Sequence, residues 1–119
     1  MSQPPAGGFP PGYEWDEAKN QANIRKHGID FRDAVRVFDR PTLDAVDSRQ
    51  DYGEVRVNSI GVLGSLLVAT ITHTDREGRN RLISARTATQ PERAAYAEFE
   101  RELAGERPRT RGRDKDRGF

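Results

Sequence analysis

The chain contains no cysteine among its 119 residues, so a disulfide framework and zinc sites built on thiolates are both excluded. It also lacks any apolar run near the roughly 18 residues that a membrane-spanning helix needs. Its first twelve residues lack the charged and apolar regions of a signal peptide. These absences predict a cytoplasmic protein that has no membrane partner.

Apolar residues are scarce at 34%, whereas charged residues make up 33%, which indicates one small domain with one compact core. The net charge of +1 is unevenly distributed. Residues 105–119 hold six Lys/Arg and three Asp/Glu, while residues 13–104 hold fourteen basic and sixteen acidic groups. A coat for nucleic acid would be basic throughout. Any nucleic-acid contact must therefore depend on a local cluster of arginines.

The composition divides the chain into three parts. Residues 1–12 hold four prolines and three glycines and are expected to form a disordered leader. Residues 13–104 carry the periodic apolar patterns of a folded domain. Residues 105–119 lack apolar periodicity and are expected to form a disordered basic tail, which either aids solubility or contacts RNA.

Two helices are predicted first. Asp16 caps a helix that runs to about His27, with Gly28 as its stop and Trp15, Ala18 and Ala22 on one face. Asp30 caps a second helix, whose apolar residues recur at helical spacing: Phe31, Ala34, Val35 and Phe38.

Four strands are expected to follow in an antiparallel meander: Thr42–Asp47, Glu54–Ile60, Leu66–His73 and Asn80–Arg86. The third is apolar on both faces and should be central in the sheet. Thr89 and Glu92 form a capping box that opens a last helix, Gln90–Ala104. The predicted fold class is therefore α+β in the order ααββββα.

Three groups of polar residues are candidates for chemistry. Lys26 and His27 end the first helix, where they either complement its dipole or reach a cleft. Glu54 and Arg56 alternate on a strand, as an exposed ion pair or as an acid/base carboxylate beside a phosphate-binding arginine. The third group consists of four arginines around the last hairpin: Arg76, Arg79, Arg81 and Arg86. Solvated hairpin charges explain Arg76 and Arg79 adequately, but they explain Arg86 less well, because it ends an apolar strand just before a helix.

Several common chemistries have no support in the sequence. There is no Walker loop, dinucleotide-binding loop or nucleophile elbow. Asp44, Asp47 and Asp51 lie around a turn rather than at a metal-ligand spacing. We therefore predict neither a metal ion nor a cofactor.

Separated motifs in a fixed order resemble one known family, that of the BrnT toxins. They cover residues 13 to about 100 and read Glu14-Trp-Asp-Glu-Ala-Lys, Asn23-Ile-Arg-Lys-His-Gly-Ile-Asp-Phe, Ala34 with Val37-Phe-Asp, Gly53-Glu-Val-Arg, Thr74-Asp-Arg, Arg81-Leu-Ile-Ser-Ala-Arg-Thr-Ala, and Glu92-Arg with Tyr96.

The resemblance implies a ribonuclease toxin of a type II toxin–antitoxin system with a RelE-like fold. It also implies growth arrest through RNA cleavage and neutralisation by a BrnA-type antitoxin. In such pairs the antitoxin carries the operator DNA-binding domain, and the family suggests a heterotetramer.

The resemblance also implies a polar site made of Lys26, His27, Glu54, Arg56, Arg76, Arg81 and Arg86. RNA carries its own nucleophile, the 2′-hydroxyl, so the enzyme needs a base, cations for the phosphate and an acid. Glu54 or His27 is the expected base, and Arg56 and Arg86 are the expected clamps on the transition state. The expected binders of the RNA backbone are Lys26, Arg76, Arg79, Arg81 and Tyr96.

Two other functions fit the same residues less well. One is a non-catalytic adaptor of the same fold that binds a partner protein or RNA. The other is a metal-dependent nuclease, for which the acidic residues show no suitable spacing.

Overall fold

The computed structural model describes residues 5, 7–48 and 53–105. Most of the expected basic tail, and part of the expected leader, lie outside these residues. Asp51 does as well. The chain divides into two compact units, residues 1–88 and 89–119, and each is described by itself.

Among its described residues, the first unit holds five strands and two α-helices. A 3-10 helix, Val35–Asp39, continues directly from the second α-helix. The elements are β1 (Tyr13–Glu14), α1 (Glu17–His27), α2 (Phe31–Ala34), β2 (Leu43–Val46), β3 (Val57–Leu63), β4 (Leu67–Arg76) and β5 (Arg79–Thr87).

The strands form one mixed sheet in the order β1-β5-β4-β3-β2. β2 to β5 are the expected antiparallel meander, and β4 is central, as its apolar sequence predicts. The predicted ααββββα order and the purely antiparallel sheet are wrong in one respect, because β1 precedes the helices and pairs with β5 in parallel. Two residues are too few to show a strand periodicity, which is why the sequence did not reveal β1.

The predicted strand Glu54–Ile60 begins later than expected, since β3 starts at Val57. Glu54 and Arg56 therefore lie in the segment before the strand, where the Arg56 carbonyl accepts a hydrogen bond of 2.8 Å from the Asp47 amide.

α1 has the predicted ends. The Asp16 carboxylate accepts hydrogen bonds from the amides of Ala18 and Lys19, and Gly28 takes the left-handed conformation at φ 75°. Its buried face is different from the one expected. Asn20 and Asn23 are buried, whereas Ala18 and Ala22 are exposed.

The second predicted helix keeps its cap at Asp30 but is α-helical only over Phe31–Ala34, after which it tightens into the 3-10 helix. Phe31 and Val37 are completely buried there. They pack with Trp15, Ile71 and Leu82 in the core on the helix side of the sheet. In the expected leader, Phe9 packs edge-on against Trp15, with ring centroids 5.0 Å apart.

The second unit contains α3, Gln90–Leu103, close to the predicted bounds. The predicted capping box is present, because the Thr89 hydroxyl accepts from the Glu92 amide and the Glu92 carboxylate accepts from the Thr89 amide. Within the described residues, none of the helices combines the length and apolarity needed to cross a bilayer.

Candidate functional site

A β-bulge in β5 places the arginines of the hairpin on one face of the sheet. Thr72 pairs with Ser84, but the next residue, His73, pairs with Leu82, so Ile83 is the extra residue. Cross-strand partners point to the same face. Arg86 pairs with Thr70, Arg81 with Thr74 and Arg79 with Arg76. The positions of these β4 residues differ by even numbers, so their side chains lie on the same face of the sheet. We call this side of the sheet the arginine face; it bears Arg76, Arg79, Arg81 and Arg86.

Glu54 lies between two guanidinium groups at one end of the arginine face. Its Oε2 accepts a hydrogen bond of 3.2 Å from Nε of Arg56, and its Oε1 accepts one of 3.2 Å from Nη2 of Arg76. We call these three residues the Glu54 cluster. It adjoins a cavity of about 380 Å³ that is lined by Glu54, Val55, Val57, Thr74 and Asp75.

Electrostatics keep the Glu54 carboxylate charged. Desolvation raises its pKa, but the hydrogen bonds and positive charges of Arg56 and Arg76 outweigh that effect and bring the pKa below its ordinary value. The Arg76 side chain is 49% exposed, and that of Arg56 is 24% exposed. The Arg76 guanidinium carries five N–H donors, of which the ion pair engages one, so it retains donors for a ligand.

Arg81 is held by β1, the strand that the sequence did not reveal. Its Nη1 donates to Oε2 of Glu14 at 2.9 Å, and Glu14 is its registered partner in the parallel pair. The ion pair fixes where the guanidinium points. Glu14 is thus a contact of a predicted site residue to which sequence reasoning gave no role; its only signal was its place at the start of the Glu14-Trp-Asp-Glu-Ala-Lys motif.

Lys26 and His27 line a second cavity, of about 240 Å³, at the free edge of β5. Its other lining residues are Lys19, Ala22, Asn23, Ile83 and Ser84. We call it the Lys-His cavity. Asn23 fixes α1 at this edge, because its amide nitrogen donates to the Ala85 carbonyl at 2.9 Å and its amide oxygen accepts from the Ala85 amide at 3.1 Å. The side chain therefore replaces the missing neighbouring strand.

Arg86 lies farther along the arginine face. The β4 residues that pair with Arg86 and Arg81 are four positions apart, which corresponds to about 13 Å along the strand. Its guanidinium donates to the Thr87 carbonyl at 3.4 Å. Tyr96, the other expected RNA contact, lies on α3 in the second unit, with its ring centroid 5.7 Å from that of Phe99.

The structure therefore brings together some of the predicted residues and separates others. Glu54, Arg56 and Arg76 contact one another. Lys26 and His27 line a different cavity, next to Ser84 and near the Arg86 end of β5. The sequence predicted one polar site, but Lys26 and His27 line a cavity whose lining residues include neither Glu54 nor any of the predicted arginines.

His73 is the second residue that sequence reasoning left without a role. It is half-buried on the helix side of the sheet, with its ring 5.0 Å from that of Phe38 and its Nε2 2.7 Å from Oγ of Ser59. Burial lowers the pKa of the imidazole, and a side-chain hydrogen bond with Asn80 and the charge of Asp44 offset only part of that effect. His73 is therefore neutral at pH 7.

The described part of the chain contains no candidate metal-binding site. Over residues 5, 7–48 and 53–105, no three His, Asp or Glu side chains are grouped so that they could hold an ion. Asp44 is exposed on β2, and Asp47 is buried at the end of that strand.

Comparisons with known proteins agree with this architecture. The model of a family described as the ribonuclease toxin, BrnT, of type II toxin–antitoxin systems matches residues 15–92. The chain is also similar to the Brucella abortus ribonuclease toxin, BrnT, known from a crystal structure at 1.1 Å. That match has 31% sequence identity and a TM-score of 0.50, and it covers 64% of this chain and 94% of the Brucella chain. Comparison with curated proteins gives no match.

Proposed function

Because the chain belongs to the BrnT family of ribonuclease toxins, we propose that it cleaves RNA without a metal ion, by attack of the 2′-hydroxyl on the adjacent phosphate. The observation that supports this most is the Glu54 cluster, in which one ionised carboxylate lines an open cavity and forms ion pairs with two guanidinium groups. The RNA supplies the nucleophile, so the protein has to supply proton transfer and charge stabilisation only.

In this proposal Glu54 is the base. Its carboxylate accepts the proton of the 2′-hydroxyl while the O2′–P bond forms. Arg56 and Arg76 bind the phosphate oxygens, which gain negative charge in the transition state. The P–O5′ bond breaks, and the leaving 5′-oxygen takes a proton from water. Planar guanidinium groups suit this task because they donate two parallel hydrogen bonds to one phosphate. The lowered pKa of Glu54 keeps it in the proton-accepting form, although it also makes the carboxylate a weaker base.

The remaining arginines extend the site along the sheet. Arg79 and Arg81 lie on the same face as Arg76, at the same end of β5. The separation of about 13 Å between the levels of Arg81 and Arg86 supports contact of Arg86 with a different phosphate of the same strand. Lys26 and His27 lie near that second position, where His27 is the alternative base.

Family membership also supports the biological part of the proposal. A type II toxin acts in a pair with a protein antitoxin, and we propose a BrnA-type partner that neutralises this chain in a heterotetramer. Operator DNA would be bound through the antitoxin only. The free toxin would arrest translation and growth, as its RelE-like counterparts are expected to do.

Incubation of the purified chain with total RNA in EDTA tests the enzymatic part. Fragments that end in 2′,3′-cyclic phosphate are the expected product. Cleavage that stops in EDTA would indicate a metal-dependent nuclease, and intact RNA together with tight binding of a partner would indicate the adaptor.

The identity of the base follows from the pH dependence of kcat/KM. Glu54 as base predicts activity that falls only below about pH 4.5, the ordinary pKa of a glutamate, because its pKa is lowered. An acid limb near neutral pH would indicate an imidazole instead. Glu54→Gln should remove cleavage. Glu98→Gln is the matched control, because Glu98 is likewise a glutamate in an ion pair with an arginine, Arg101, and has no role in the proposed reaction.

A further inference from the structure

The Lys-His cavity has a positively charged lining without a counter-charge. Lys19, Lys26 and His27 line it with nitrogen-bearing side chains, and its other lining residues include no carboxylate. Both lysines are exposed, and neither forms an ion pair with another described residue. Lys19 has no role in the proposed reaction. Positive charges that lack a partner in this way suit an anionic ligand.

Helical geometry places the two lysines on the same side of α1. They are seven residues apart, so they differ by about 20° around the helix axis and by about 10 Å along it. Their long, flexible side chains can both reach a ligand between them. Arg25 is also exposed on this helix, but it is turned by about 100° from Lys26 and does not line the cavity. It is therefore a natural control for the two lysines.

Asn23 forms a fixed wall of the cavity rather than a contact for a ligand. It is buried, and its amide nitrogen donates to the carbonyls of Ile29 and Ala85, both at 2.9 Å, which uses both of its hydrogens. The side chains that can still donate to a ligand are those of Lys19, Lys26, His27 and Ser84. Such a set of donors favours a phosphate, whose oxygens accept several hydrogen bonds at once.

Ser84 connects the cavity with the arginine face. It lines the cavity and pairs with Thr72 on β4. The β4 partners of Arg81 and Arg86 lie two residues to either side of Thr72, so the Ser84 side chain points to the same face as these arginines. Along the strand it is about 7 Å from the level of each. The cavity therefore borders the arginine face between Arg81 and Arg86.

We propose that the Lys-His cavity binds one phosphate of the RNA strand and that Lys19 and Lys26 neutralise its charge, an inference that rests on the proposed ribonuclease function. The phosphates before and after it lie on the arginine face, at Arg81 and Arg86. The RNA strand therefore follows β5, and Lys19 is a further residue that binds it. A positively charged groove that follows the backbone is how many proteins hold single-stranded RNA.

The size and position of the cavity agree with a phosphate of an extended strand. A cavity of about 240 Å³ is below the range of about 300–1,000 Å³ that holds whole drug-sized ligands, so it suits a phosphate better than a complete nucleotide. The step of about 7 Å from Ser84 to the level of either arginine is a distance that one nucleotide of an extended strand can span.

The test is the salt dependence of RNA binding by the full chain, measured by fluorescence anisotropy. The probe is a short 2′-O-methyl RNA, which lacks the hydroxyl nucleophile and therefore cannot be cleaved by the proposed reaction. The slope of the logarithm of the association constant against the logarithm of the salt concentration counts the neutralised phosphates, at about 0.7 each for a single strand. The double variant Lys19→Gln with Lys26→Gln should therefore lower the magnitude of the slope by about 0.7. Each single variant should weaken binding roughly two- to fivefold, as loss of an exposed ion pair does.

Arg25→Gln is the matched control, because it removes the same charge from the same helix outside the cavity. It should weaken binding less than half as much as Lys19→Gln, whereas Lys19→Arg should bind like the wild type because it keeps the charge. The three side chains are exposed, so the melting temperatures should be unchanged; if Lys26→Gln does not fold, the Lys19→Gln affinity decides. An unchanged slope in the double variant, an equal effect of Arg25→Gln, or no binding of RNA by the wild type would overturn the inference.

NMR locates the ligand and identifies its source. Addition of the RNA should shift the backbone amides of Ile83 and Ser84, which line the cavity, in the wild type but not in the double variant. Inorganic phosphate carries the same chemical group without the strand. Shifts caused by inorganic phosphate but not by RNA would assign the cavity to a free phosphate and overturn the inference.

The cleavage assay separates the two proposals. Cleavage in EDTA with an unchanged slope in the double variant refutes the phosphate subsite and leaves the ribonuclease standing. A lowered slope without cleavage by the wild type supports the subsite and refutes the ribonuclease.

Discussion

Arg76→Ala should separate catalysis from stability. Arg76 is half-exposed, and its link to the rest of the site is one 3.2 Å ion pair with Glu54. Exposed ion pairs contribute little to the free energy of unfolding, so the melting temperature should change no more than in Arg101→Ala, which breaks the Arg101–Glu98 pair on α3. Cleavage should change much more. Removal of one donor to a developing oxyanion typically costs about 3–4 kcal/mol of transition-state stabilisation, roughly a hundred- to thousand-fold in rate.

The assay is single-turnover cleavage of a short RNA in EDTA by wild type, Arg76→Ala, Arg56→Ala and the double variant. If both guanidiniums bind the same phosphate, the double variant should lose much less than the product of the two single losses, because groups that act as a unit are not additive. Arg76→Lys should keep part of the rate, because lysine retains the positive charge but lacks the planar, two-pronged guanidinium of arginine. A loss below about fivefold for Arg76→Ala, with the fold intact, would remove this residue from the catalytic site.

Three further predictions concern other parts of the chain. Asn23→Ala should lower the free energy of unfolding by about 3 kcal/mol, measured in urea, because it leaves the buried amide and carbonyl of Ala85 unpaired; an effect below about 1 kcal/mol would contradict the bridging role. The fold lowers the pKa of His73 from its ordinary value of about 6.5. In the pH range between the lowered pKa and about 6.5, the folded state therefore binds fewer protons than the unfolded chain. Stability should therefore fall as the pH drops below about 6.5, and urea unfolding of His73→Gln should show a weaker pH dependence. Arg86→Ala should mainly raise KM if Arg86 binds a neighbouring phosphate, whereas a loss of roughly a hundred- to thousand-fold in kcat would assign it to the transition-state clamp.

Local signals predicted most of the secondary structure. The caps at Asp16, Asp30 and Thr89 and the stop at Gly28 are in the expected places, because each depends on a few adjacent residues. The central position of β4 followed from its apolar sequence. These features depend on short stretches of the chain, so they can be predicted without knowing the tertiary structure.

The buried face of α1 could not be read in this way. The sequence favoured Ala18 and Ala22 as the inner face because alanine is apolar, but the helix buries Asn20 and Asn23. Asn20 accepts from the Phe31 amide, and Asn23 bonds Ala85, which is 62 residues away in the sequence. A buried amide is stable only where its hydrogen bonds are satisfied, and those partners come from distant segments that a periodicity cannot show.

The site depends on a long-range feature of the same kind. Arg81 and Arg86 are five residues apart, an odd number, which in a regular strand would place them on opposite faces. The extra residue Ile83 changes this, and both arginines face the β4 threonines Thr70 and Thr74. Bulges recur next to functional sites because they redirect a side chain without altering the rest of the strand. The common face of these arginines therefore comes from the register of β5 against β4, a property that the spacing of arginines in the sequence does not contain.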